Sequence, residues 1–196
     1  MLDDFLSNLQ HGIYHILNVN AYEHIVFLIV LAVPYLFKDW KRILLLITVF
    51  TLGHTVSLLL ATYNVISVNS SLVGFLTPLI ILVVALYNVF TAGKKAHNEK
   101  VGILFLSTLF FGLIHGLGYV GTFESLIKAS DNKLLSALEI SLGIEVGQII
   151  VAFIVVFLGF LCQTIFRFSK RDWVMVVSAI VVGLLIPMLI RSNIFS

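Results

Sequence analysis

Six apolar stretches constrain this chain more than any other feature, because each approaches the length needed to cross a lipid bilayer. They run about Tyr22 to Phe37, Ile43 to Thr62, Leu72 to Thr91, Val101 to Val120, Leu134 to Phe166 and Trp173 to Ile190. A helix rises about 1.5 Å per residue, so roughly 20 apolar residues span a hydrocarbon core about 30 Å thick. Composition points the same way: 60% of the 196 residues are hydrophobic and 11% are charged, against roughly 25% charged in soluble domains. That leaves too little polar surface to cover a water-soluble globule. The expected fold is an all-α polytopic membrane bundle of about six transmembrane helices, forming a single membrane domain over residues 1–196.

The connections are short, as suits an up-and-down bundle, and their charges orient it. Lys38, Lys41 and Arg42 follow the first stretch, Lys94, Lys95 and Lys100 the third, and Arg167, Lys170 and Arg171 the fifth, which puts nine of the 12 basic residues on one side. Lys128, Lys133 and Arg191 lie on the other, with Asp3 and Asp4. The positive-inside rule makes the nine-residue side cytoplasmic and predicts both termini outside. The first 20 residues lack the basic start and small-residue cleavage site of a secretory signal. Their apolar positions Leu2, Phe5, Leu6, Leu9, Ile13 and Ile16 recur at helical spacing, which predicts an amphipathic helix over 1–20 lying on, or folding back into, the outer face. The first apolar stretch, with about 16 residues, is short for a span and is expected to dip into the membrane below the surface.

A net charge of +2, with no glycine-rich phosphate loop and no nucleic-acid motif, excludes nucleic acid as a partner. The one cysteine, Cys162, offers neither an intramolecular disulfide nor a thiolate cluster. Any metal would be held by nitrogen and oxygen.

Ionisable groups in the hydrocarbon region cost about 2.5–3.5 kcal/mol each on insertion scales, so each needs a partner, a cavity or a function. His54, His115, Glu139 and Glu145 fall within the apolar stretches, Glu23 and His24 open the first one, and His11 and His15 precede it. His54 lies about 17 Å and His115 about 21 Å along their helices from the cytoplasmic side. Counting Glu145 from the outer end of its stretch puts all three in the outer half. Faces agree with depths, since residues three and four apart share one side of a helix. One stripe carries Thr51, His54 and Ser57, a second Thr108, Gly112, His115 and Gly118, and a third Ser141, Glu145 and Gln148. The second, fourth and fifth stretches are expected to meet around one polar site. Gly112 with Gly116, and Gly143 with Gly147, have the small-xxx-small spacing of closely packed membrane helices, within one chain or between two copies of a homo-oligomer.

A single intramembrane histidine or glutamate is more often interhelical glue than a ligand; several converging at one depth favour a site. Imidazole and carboxylate together suit nickel, cobalt, zinc or ferrous iron, and His11 and His15, one turn apart, can offer two nitrogens from one face. His97 is expected to be solvated, Glu139 to pair with a lipid headgroup or a loop lysine, Asn88 to act as a local cap or packing contact, and Pro78 and Pro187 to kink their helices.

Four motifs carry a family resemblance. Gly12-Ile-Tyr-His15-Ile-Leu followed by Glu23-His24-Ile-Val-Phe, Thr48-Val-Phe-Thr-Leu-Gly-His54-Thr-Val-Ser-Leu, Phe111-Gly-Leu-Ile-His115-Gly-Leu-Gly, and Leu142-Gly-Ile-Glu145-Val-Gly-Gln148 resemble those of the HupE/UreJ family of hydrogenase and urease accessory membrane proteins. The resemblance implies a nickel or related divalent-metal permease in the bacterial cytoplasmic membrane, with His15, Glu23, His24, His54, His115 and Glu145 as metal residues and Gln148 beside them. Thr51, Ser57, Ser141 and His11 would support the site or line the path. Glu23 stands where the family usually has aspartate, the gap from His15 to His24 is stretched, and Ser141 replaces a usual asparagine.

The resulting expectation is a secondary transporter of a divalent transition metal, driven by the membrane potential or a proton gradient because no nucleotide site is present. Two alternatives stay open. One is an intramembrane zinc hydrolase, with three histidines on the metal and a glutamate base. The other is a metal-binding accessory protein that does not transport.

Overall fold

The computed structural model describes residues 2–66, 69–93, 101–118, 127 and 132–192. Among them the chain forms seven α-helices: α1 (Leu2–Leu17), α2 (Glu23–Ala32), α3 (Trp40–Thr62), α4 (Ser70–Thr91), α5 (Val101–Gly118), α6 (Lys133–Thr164) and α7 (Lys170–Arg191). Side-chain caps explain several of the starts. Asn69 accepts the Ser71 N–H at 2.9 Å before α4, Asn132 the Leu135 N–H at 3.1 Å before α6, and Ser169 the Asp172 N–H at 3.1 Å before α7. His97, Lys94, Lys95, Lys100, Lys128 and most of the loop from Gly121 lie outside the described residues.

Four helical segments are long and apolar enough to cross a membrane: Phe37–Thr62, Ser71–Thr91, Lys133–Thr164 and Lys170–Arg191. Two apolar helices are shorter, Glu23–Ala32 and Leu104–Gly118. The expected first span is therefore corrected. Only the ten residues of α2 are helical, about 15 Å and half a bilayer. The cause is Pro34, which has no N–H for the carbonyl of Val30 and stops the ladder. Asn88 of α4 supplies the missing donor, its Nδ2 giving a 2.6 Å bond to that carbonyl. Asn88 thus caps α2, a cap between helices and not the local one expected. After an extended Leu36 and a short 3-10 turn, Phe37–Asp39, the chain enters α3.

Glycines set the two closest helix pairs. A Cβ on Gly112 or Gly116 would strike the carbonyls of Phe50 and His54, and one on Gly53 would meet the Leu109 carbonyl at 3.0 Å. These registers rise together, so α3 and α5 run parallel in near backbone contact. The same holds for α1 and α6, where Gly143 abuts the Leu9 carbonyl and Gly12 the Ile140 carbonyl, and Gly147 meets Ile16. Both glycine stripes are filled by helices of the same chain, which leaves neither free to seat a second copy. The α1–α6 contact also sets which face of the N-terminal helix is covered. Leu2 and Leu6 are exposed, but Gly12, His15 and Ile16 are buried, so α1 folds back against the bundle and carries His15 into it.

Trp40 and Lys41, in cation–π contact at 5.7 Å, mark one end of α3. Tyr63, with Lys133 over its ring at 5.8 Å, marks the other. The 23 residues of α3 between them span about 34 Å, close to a hydrocarbon core with its interfacial anchors.

Candidate metal centre

Four histidines arrive at one level from four helices. His15 comes from the last turn of α1, His24 from the first turn of α2, His54 from the middle of α3 and His115 from the last turn of α5. All are buried, at 8, 1, 0 and 3% exposure respectively. The close α3–α5 packing sets His54 beside His115, with ring centroids 6.1 Å apart. The half-length α2 then lowers His24 between them and α1: His24 lies 4.4 Å from His15 and 4.1 Å from His115, both nearly edge-to-face. His15 stands 6.1 Å from His54 and 6.4 Å from His115.

His15, His24 and His115 each offer a ring nitrogen, and the three atoms lie within 4.8 Å of one another. Bonds of about 2.1 Å from nitrogen to a tetrahedral metal place ligand atoms roughly 3.4 Å apart, so a contraction of about an ångström would close this trio on an ion. Three imidazoles on separate helices could hold a metal. His54 is the neighbouring fourth imidazole, and neither of its ring nitrogens has a hydrogen-bond partner among the described residues.

One turn away lies a layer of aromatic side chains. Phe50 and Phe111 each precede a site histidine by four residues on parallel helices, and Phe27 follows His24 by three on the helix that runs against them. All three fall on the same side of the histidines, toward the Trp40 end. Phe27 stacks on Phe111 at 3.9 Å, and Phe50 lies 5.9 and 5.4 Å from the other two. Each is at most 1% exposed. Phe111 also stacks on His115 at 5.2 Å and Phe50 on His54 at 5.8 Å. His54 and His115 therefore rest on an aromatic floor. Three phenylalanines, each a helical turn from a histidine, were the available signal.

The other residues singled out in the sequence make the following contacts. Glu145 is half-buried and accepts a 2.6 Å bond from Thr48 Oγ1. Gln148 Oε1 accepts from Thr51 at 3.1 Å, and Thr55 donates to Ser141 at 2.6 Å. These three bonds form a polar ladder between α3 and α6. Thr48 and Thr55 were missed as partners, although they share a face with Thr51. Ser57 donates to the His54 carbonyl at 3.0 Å. His11 is exposed on α1. Glu139 accepts from Asn8 of α1 at 2.7 Å, so its described partner is a helix neighbour and not a loop lysine. Glu23 is half-buried and, with His115, lines a cavity between α2, α4 and α5.

An all-helical chain with four long apolar spans and a buried imidazole cluster is a multi-pass membrane protein with a possible metal site. Its sequence matches the HupE / UreJ protein family over residues 1–191, and the chain belongs to that family. No curated protein and no solved structure matches it significantly.

Proposed function

We propose that this protein is a secondary transporter of a divalent transition-metal ion in a bacterial cytoplasmic membrane, with His15, His24 and His115 as ligands and His54 as an exchangeable fourth. The observation that carries the reading is the meeting of three buried imidazoles from three helices, one nitrogen of each within 4.8 Å of the others. Family membership favours transport over the hydrolase and accessory readings. Nickel is the ion the family implies; cobalt, zinc and ferrous iron share the preference for imidazole.

In this reading the basic ends of the helices face the cytoplasm, and the site lies on the outer side of the phenylalanine floor. A dication cannot cross three packed aromatic rings without ligands, so inward release requires Phe27, Phe50 and Phe111 to separate. A membrane potential of 100 mV would contribute about 4.6 kcal/mol for two charges. The short α2, capped at its Val30 end by Asn88, is the element whose displacement would open that floor. The Thr48–Glu145, Thr51–Gln148 and Thr55–Ser141 bonds hold α3 against α6 as a fixed wall.

The test is flux into proteoliposomes under a potassium diffusion potential, with nickel, cobalt, zinc, ferrous iron and magnesium offered separately. Potential-driven entry of at least one transition metal, lost in a His24→Ala/His115→Ala variant and absent for magnesium, is expected. Tight binding with no flux of any ion would replace transport with the accessory reading.

A further inference from the structure

Helix α4 carries two unusual oxygens, on residues that share a cavity with His115. Pro78 has no N–H, so the carbonyl of Gly74 loses its ordinary intrahelical donor. In hydrocarbon such a backbone group is tolerated where it lines protein or a wet cavity. Next to it, Thr77 is 4% exposed, and its hydroxyl has no hydrogen-bond partner among the described residues. Thr62, Thr91 and Thr108 donate to the carbonyl four residues earlier and Thr51 and Thr55 donate across to α6, whereas Thr77 has neither kind of partner among the described residues.

Gly74, Thr77 and Pro78 line the cavity of about 180 Å³ that also holds Glu23 and His115, large enough for several waters. Glu23 and Gly74 also line a wider cavity of about 490 Å³, bounded by Tyr22, Ser71, Met188 and Arg191 at the helix ends. The two cavities share those residues and adjoin there. A Cβ on Gly74 would meet no heavy atom within 4 Å, which marks an open face at the junction. Arg191 lies only on the wider cavity and Glu23 on both, so the negative charge stands deeper than the positive one.

We infer that this passage is the entry route for the metal, and that Glu23, the Gly74 carbonyl and the Thr77 hydroxyl form an oxygen-lined staging site for a hydrated divalent cation. Oxygen ligands replace water with little change in ligand field, and His115, in the same cavity, then exchanges nitrogen for oxygen. The inference rests on the metal-cargo reading above, but the route itself can be tested without metal.

In detergent-purified protein with Cys162→Ser, a Thr77→Cys substitution is expected to react within minutes with a small trimethylammonium thiosulfonate, read by intact-mass spectrometry. Adding Gly74→Leu fills the junction and is expected to slow labelling at least tenfold. Gly183→Leu, at an equally open glycine that lines neither cavity, leaves it unchanged. In a second arm without the engineered thiol, cobalt(II) loading of the metal-free protein is followed by visible absorption. Gly74→Leu should slow loading at least tenfold while the final stoichiometry is kept. An unreactive Thr77→Cys protein, or labelling and loading that ignore Gly74→Leu, overturns the route. Failure of the wild-type protein to take up cobalt overturns the metal reading instead, and the labelling arm still decides the passage.

Discussion

Asn88 and Val30 are joined by a 2.6 Å hydrogen bond between the amide of one helix and the last turn of another, and this bond holds the half-helix that lowers His24 into the site. Asn88→Ala leaves the Val30 carbonyl buried without its donor, a loss of about 1–3 kcal/mol. A corresponding fall in the detergent unfolding midpoint is expected, together with weaker metal binding. Asn88→Asp, which brings an acceptor to an acceptor, should be at least as damaging.

The ligand set separates the histidines from the glutamate. His15→Ala, His24→Ala and His115→Ala are each expected to lower metal affinity at least a hundredfold, whereas His54→Ala retains stoichiometric binding at reduced affinity. Glu145→Gln keeps the metal, because its carboxylate is engaged with Thr48. Isothermal titration with nickel and cobalt checks all five variants.

The polar ladder between α3 and α6 acts on stability. A double-mutant cycle of Thr48→Val and Glu145→Leu should return a coupling of about 0.6 kcal/mol, the average for interhelical hydrogen bonds in membranes, and no more than the maximum of about 1.7 kcal/mol. Unfolding in mixed micelles provides the readout. Additive losses would mean that the bond contributes nothing.

Packing at the glycines allows little change. Gly112→Leu would drive a side chain into the Phe50 carbonyl, and Gly143→Leu into the Leu9 carbonyl, so both are expected to abolish the monodisperse folded protein on size exclusion. Gly183→Leu, with no heavy atom near its Cβ position, should elute as wild type.

Acid should displace the metal. An imidazole must be neutral to ligate, so affinity is expected to fall by up to tenfold per pH unit for each proton taken up once the pH is low enough for the metal-free site to protonate. Binding titrations carried downward from pH 8, with protonation of the metal-free site followed by histidine NMR, check this, and an affinity that holds after the free site has protonated would argue against an imidazole site.

How much of this was legible in the sequence depended on whether the cause was local. The four long spans follow from run length alone, and the pairing of α3 with α5 was foreshadowed by Gly112 and Gly116. The first span was misjudged because apolar residues continue past Pro34, while the proline ends the helix at Ala32 by removing one donor. His15, His24 and His115 could be named from their motifs and spacing. Glu145 shares their polarity but faces Thr48, and a stripe on one helix does not reveal what the opposing helix offers. The Thr77 cavity was invisible for the same reason, since it depends on which faces three helices turn to one another, and of the phenylalanine floor the sequence carried only the one-turn spacing from the histidines.

The central claim is that His15, His24 and His115 form one metal site, and elemental analysis tests it most directly. Detergent-purified wild-type protein and the His24→Ala/His115→Ala variant, matched for folding, would be compared by plasma mass spectrometry after exposure to nickel, cobalt, zinc and ferrous iron. The account expects about one ion per chain in the wild type and none in the variant. Equal metal in both, or none in either, would contradict it and leave the four histidines as packing.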